Sequence, residues 1–157
     1  MANPIEAFAA TLNDEDRAVL HGSVAFVLRV VAKADSVVDK REQNAAAAAN
    51  DLVRERFGAA FAGSDFPDAN KAADHPDWPQ LPWVRQLGGI VRRMPADART
   101  IYDRALVELA LSIAGASGGV LGFGEKLSAE ERYAIRRVVS ALDLQIADDA
   151  ARKRLGY

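Results

Sequence analysis

The sequence predicts an all-α fold, a compact multi-helix bundle built from two pseudo-equivalent helix-loop-helix halves. Three observations lead there. No segment shows the strict apolar/polar alternation of a half-buried strand. Ser23 to Ala34 and Leu106 to Ala114 are apolar on nearly every face, with Arg29, Lys33 and Glu108 as their only charges, which suits helices in the middle of a bundle. Each of these runs passes into a short loop, and a capping signature then restarts the helix.

Taken in order, Asn13-Asp-Glu-Asp16 opens a helix, with Asn13 as its cap and the acids at the positive end of the macrodipole. Ser23 to Ala34 is the first central helix. Its partner starts at Asp39 and is expected to run to about Phe61, with alanine at every position from Ala45 to Ala49. Gly63 to Pro82 carries Pro67, Pro76, Pro79 and Pro82 and reads as a long connection, a feature often functional in a compact domain. Trp78 and Trp83 within or beside it are expected to plug the edge of the bundle.

Leu81 to Met94 predicts a short helix, and Pro95 falls in the first turn of the next, where its missing N–H costs nothing. Ala96 to about Ala116 is the second central helix, Ser128 to Leu142 its partner, and Gln145 to Leu155 a final amphipathic helix. The halves align residue by residue. Ala32 matches Ala114, Ala34 matches Ala116 and Asp35 matches Ser117. Beyond an insertion at roughly Val120 to Lys126, Val38 matches Leu127, Asp39 matches Ser128 and Glu42 matches Glu131. Along the partner helices Ala49 falls on Val138, Val53 on Leu142 and Phe57 on Ile146, so both are expected to bury one face.

At 157 residues the chain, 1–157, is read as a single domain that buries roughly two thirds of its unfolded surface. A net charge of −2 exerts no global pull on nucleic acid or anionic lipid, so no nucleic-acid partner is expected. The absence of cysteine removes disulfides and thiolate metal sites and fits a cytoplasmic protein. Met1-Ala-Asn-Pro-Ile-Glu6 lacks the basic and apolar regions of a signal peptide. The longest uncharged stretch, Leu109 to Gly124, is shorter than the ~20 residues of a membrane span and is broken by glycines.

Asp35, Asp39 and Glu42 are the candidate metal ligands. A helix end, a tight loop and the next helix start could gather three carboxylates, hard oxygen ligands suited to Ca²⁺ or Mg²⁺. The competing reading is structural: Asp39-x-x-Glu42 and Ser128-x-x-Glu131 both fit a capping box. Asp35 is not explained by capping, because a carboxylate at a helix C-terminus faces the negative end of the dipole. The stretch is not an EF-hand, since Lys40 stands where that loop needs glycine and Ala46 where it needs glutamate.

Gly119-Val-Leu-Gly-Phe-Gly-Glu-Lys126 falls short of a phosphate loop, because Glu125 occupies the position of its lysine and no strand precedes it. His21 and His75 have no partners that compose a hydrolytic triad, so no catalytic residue is assigned. Arg92-Arg93, Arg136-Arg137 and Arg152-Lys-Arg154 are read as solvated helix faces.

At Ala32-Lys-Ala-Asp35 with Val38-Asp39 and Glu42, and at Ala114-Gly-Ala-Ser117-Gly-Gly119 with Leu127-Ser128 and Glu131, the chain resembles the TerB-like family, the tellurite-resistance TerB proteins and their relatives. The resemblance spans Ser23 to Phe57 and Leu106 to Leu144, and the second half is similar to a glycine-rich variant. The chain departs from the pattern at Ser36, where the family usually has glycine, and at Ser117, where an acid often stands.

The resemblance implies an all-helical, non-enzymatic module in a bacterial response to tellurite, metals or phage, with protein partners and a link to membranes through a complex. A divalent cation at Asp35, Asp39 and Glu42 is the cofactor it leaves open, and a homodimer is compatible with it. The alternative is a metal-independent interaction module that uses the Trp/Pro loop 63–82 or the glycine-rich loop 117–126.

Overall fold

The computed structural model describes residues 3–34, 49–117 and 127–157, and these form helices and turns with no strand among them. Helix α1 (Pro4–Ala10) is one the sequence pattern did not reveal. Asn3 caps it by accepting from the Ile5 N–H at 2.9 Å, and Pro4 fills the first helical position. α2 (Asp14–His21) starts as expected at Asn13, whose side chain accepts from the Asp16 N–H at 2.8 Å. Arg17 binds the two helices together by donating to the carbonyls of Ala9 and Leu12, at 3.0 and 2.7 Å.

α3 spans Ser23–Ala34, the first central helix, and packs against α2, α7 (Ala96–Ser117), α8 (Ala129–Leu142) and α5 (Pro67–Asp74). Being touched on so many sides, it has to be apolar nearly all round. Helix α4 is described over residues 49–56. The expectation that it runs to Phe61 is corrected: Gly58, at φ 117°, turns the chain out of the helix, and Ala59–Phe61 is a separate 3₁₀ turn.

Gly63 to Pro82 is likewise not a plain connection. It holds α5 and a 3₁₀ turn, Trp78–Gln80. Pro67 opens α5, Pro79 lies in the first turn of the 3₁₀ segment, and Pro82 opens α6 (Pro82–Arg92). Three of the prolines read as loop markers thus start helices, where a missing N–H is harmless. Pro95 stands just before α7, and its carbonyl accepts from the Arg99 N–H at 2.8 Å.

α8 carries the expected capping box. Ser128 accepts from the Glu131 N–H at 3.1 Å, and Glu131 returns the bond to the Ser128 N–H at 3.1 Å. It ends at Asp143 in the left-handed conformation. The last helix does not begin at Gln145. The Gln145 N–H is taken by Asp103 at 2.9 Å, and α9 (Asp149–Leu155) starts behind its own cap, Asp148.

Helices of the two halves pack across the repeat. α3, the first helix of one copy, packs on α8, the second helix of the other. α4 lies beside α7, with Arg56 of α4 paired to Glu108 of α7 at 3.3 Å. Ala49 and Val53 are buried in one copy and Val138 and Leu142 in the other, the shared face the alignment required; Phe57 is buried, while its counterpart Ile146, in the α8–α9 connection, is only partly so. No described helix is long and apolar enough to cross a membrane.

Candidate functional site

Because α3 packs on α8, the end of α3 and the start of α8 open into one groove of about 360 Å³. Val30, Lys33 and Ala34 line it from α3, Glu130, Tyr133, Ala134 and Arg137 from α8. The third wall is the end of α5 and the turn after it, including Asp74, His75 and Trp78. The last described residue before the first loop and the first turn after the second therefore face the same space.

The α5 wall is fixed electrostatically. Arg29 and Lys33 stand one turn apart on α3 and converge on the single carboxylate of Asp74, at 2.7 and 2.9 Å from the guanidinium and 2.5 Å from the ammonium. Hydrogen bonds from Arg29 and then Lys33 hold the Asp74 carboxyl far below its ordinary range, and Asp74 raises Arg29 in return. Two cations for one anion leave positive charge beside the C-terminal end of α3, where the helix dipole is negative. His75 follows as the cap, and its Nδ1 accepts from the Asp77 N–H at 3.0 Å.

The α8 wall mixes apolar and aromatic groups. Trp78 is buried, meets Phe26 edge-on at 5.3 Å between ring centres, and is covered by the Arg137 guanidinium at 4.9 Å. Trp83 leans on the same Phe26 at 5.2 Å. Both tryptophans therefore pack against the core, as the sequence suggested. Tyr133 is different: 64% exposed, it stands on the groove rim with Arg137 5.5 Å from its ring centre.

Asp35, Asp39 and Glu42 lie outside the described residues, as do residues 118–126 of the glycine-rich loop. Among the described residues no three histidine or carboxylate side chains gather closely enough to hold a metal ion. His21 packs edge-on against Phe61 at 5.0 Å, and burial lowers its pKa. The Arg92-Arg93 cluster is partly spent on structure, with Arg93 paired to Asp16 at 3.0 Å.

Comparison with protein-family models, with curated proteins and with solved structures finds no match to this chain.

A second cleft, of about 380 Å³, runs between α7 and the stretch that leads into α9. At its base lies Asp103, which accepts from the Gln145 N–H and from Arg99 at 3.3 Å, while burial raises its carboxyl pKa. Arg99 also donates to the Asp143 carbonyl. The bonds to Gln145 and Asp143 fasten the α8–α9 connection to α7, and the Arg99–Asp103 pair within α7 orients both side chains for that structural duty. The sequence reading missed Asp74, Tyr133 and Arg137. Tyr133 had a usable signal, since it falls on the polar stripe of α8, where an aromatic ring gains nothing from the core.

Proposed function

We propose that the chain is a non-enzymatic, TerB-like interaction module of a bacterial stress response of the tellurite or metal type, and that it engages a protein partner at the groove between α3, α5 and α8. The observation that carries this reading is Tyr133, an exposed ring beside an arginine above the apolar floor of Val30, Ala73 and Ala134. Tyrosine and arginine supply a large share of binding energy at protein interfaces, and a small apolar recess beside them is the usual seat of an anchoring side chain. The groups with displaced pKa values support binding over catalysis. Tyr102, Asp103, Asp16 and Asp74 are each engaged in bonds that hold helices or their connections in place.

The test is a photo-crosslinking amino acid placed at position 133, with position 104 on the exposed side of α7 as control. Irradiation in cells should yield a discrete adduct from 133 and none from 104, and the captured protein, once purified, should lose affinity for Tyr133→Ala. Equal adducts from both positions contradict the groove. Tellurite tolerance of cells lacking the chain should be restored by the wild type and not by Tyr133→Ala.

A divalent cation at Asp35, Asp39 and Glu42 is the finer part of the proposal, since Ala34, beside Asp35 in sequence, lines the same groove. Ca²⁺ or Mg²⁺ bound there should raise the melting temperature by mass action, and Asp35→Asn should abolish the rise. Identical melting curves with and without each metal would contradict this finer part.

A further inference from the structure

We infer that the outward face of α8, extended by α9, binds an acidic peptide segment of a partner protein through a ridge of arginines interleaved with tyrosines. The inference rests on the interaction-module reading and supplies the partner's chemistry. Positions 132, 133, 136 and 137 form one stripe on α8, opposite Ala134, Ile135, Val138 and Leu142, which are buried in the core. Arg132, Tyr133 and Arg136 are exposed, and α9 packs against α8 so that Arg152 and Tyr157 join them. The Arg136 guanidinium lies 4.9 Å from the Tyr157 ring centre and that of Arg152 5.8 Å from it, while Arg137 lies 5.5 Å from Tyr133.

Most arginines on the other helices are paired with carboxylates, Arg85 and Arg92 of α6 excepted, whereas those of this face are not. Arg17, Arg29, Arg54, Arg56, Arg93, Arg99 and Arg104 each meet a carboxylate. Among the described residues no carboxylate lies within 4.0 Å of Arg132, Arg136, Arg137 or Arg152; three of these meet the tyrosine rings and Arg152 also donates to the Ile146 carbonyl at 3.4 Å. Guanidinium groups held against rings keep their N–H edges free, and those edges match a carboxylate in a two-pronged geometry. The tyrosines add apolar contact at small entropic cost.

A shallow recess of about 470 Å³, lined by Ala129, Arg132, Tyr133, Arg136, Arg137 and Ser140, gives the segment a seat. Arg132 and Arg136 are one helical turn apart, ~6 Å, close to the ~6.6 Å between alternate side chains of an extended strand. A nucleic acid fits less well, because the molecule carries a net charge of −2 and creates no long-range field for a polyanion.

The experiment is fluorescence anisotropy with fluorescein-labelled decaglutamate titrated with the full chain at low salt. The proposal expects saturable binding that weakens as salt rises and falls at least about tenfold in Arg132→Glu/Arg136→Glu, a loss of about 1.4 kcal/mol or more. Arg85→Glu on α6 should bind as the wild type, and Arg152→Ala should show a smaller loss. Unchanged thermal melting of each variant separates binding from folding. Absent binding, undiminished binding in the double variant, or tighter binding of a single-stranded oligonucleotide each overturns the proposal. If decaglutamate fails while crosslinking from position 133 still captures a partner, the acidic chemistry falls and the interaction module stands.

Discussion

The bond between the Tyr102 hydroxyl and Ser23 offers a sharp energetic test of how the two central helices are joined. Tyr102 on α7 donates to Ser23 Oγ at the first residue of α3, at 2.8 Å, and both residues are 0% exposed. Burial pushes the phenol above its usual pKa, which keeps its proton on the hydroxyl that donates to Ser23. Ser23→Ala removes the acceptor and leaves that donor in a space closed to water. Such an orphaned group costs about 1–3 kcal/mol, and we expect about 2 kcal/mol here. At this chain length that lowers the melting temperature by roughly 4–8 °C.

Tyr102→Phe should cost about 1 kcal/mol, because the serine hydroxyl can turn to a carbonyl of the preceding turn. The double variant removes both polar partners and should be less destabilised than Ser23→Ala alone. Denaturant unfolding of the four proteins closes the cycle. If Ser23→Ala costs under about 0.5 kcal/mol, or if the single losses add, the two hydroxyls are not paired in the folded chain.

Asp103 and Asp74 should shift stability with pH in opposite senses. Burial raises Asp103, so the folded state holds its proton more tightly; this contribution is full below the unfolded pKa near 4 and is lost as pH rises through the native value. Asp74 is lowered by Arg29 and Lys33, so its contribution is present above the unfolded pKa and is lost as pH falls. In pH-dependent unfolding, Asp103→Asn should flatten the decline just above pH ~4 and Asp74→Asn the decline below it. Gly58→Ala forces a side chain into φ 117° and brings its Cβ within 2.0 Å of Glu6 Oε1; although Glu6 can swing away, denaturation should show a loss of about 1–3 kcal/mol from the backbone. Trp78→Ala should cost about 3–5 kcal/mol by opening a cavity under Phe26 and Arg137, so lost partner binding in that variant should coincide with a melted domain in circular dichroism.

The helices that were legible in the sequence carry their own signals. Asn13 and Ser128 announce starts through side chains that satisfy the first amides, and Ser23 to Ala34 announces its central place by lacking a polar face. α1 was hidden because seven residues are too few to show a period, and only its contacts with the core sustain it. α5 was hidden because proline punctuates loops and opens helices alike, and only the bonds of Asn70 and Arg85 back to Phe66 and Leu81 show which duty it has here.

The groove was half legible. The repeat pointed to the loop ends, but whether two loops share one site depends on which helix packs on which, and periodicity within a helix carries no such information. Asp74 was missed for the same reason: its partners, Arg29 and Lys33, are distant in sequence and meet it only through the packing of α3 on α5.

The central claim is that α3 of one half packs on α8 of the other, so that their ends line one groove, the proposed binding site. The chain has no cysteine, which makes paired spin labels straightforward. With nitroxides on Ala34→Cys and Glu130→Cys, the frozen-solution spectrum should be strongly broadened relative to the sum of the two singly labelled spectra. A doubly labelled spectrum equal to that sum would place the ends of α3 and α8 far apart and contradict the account.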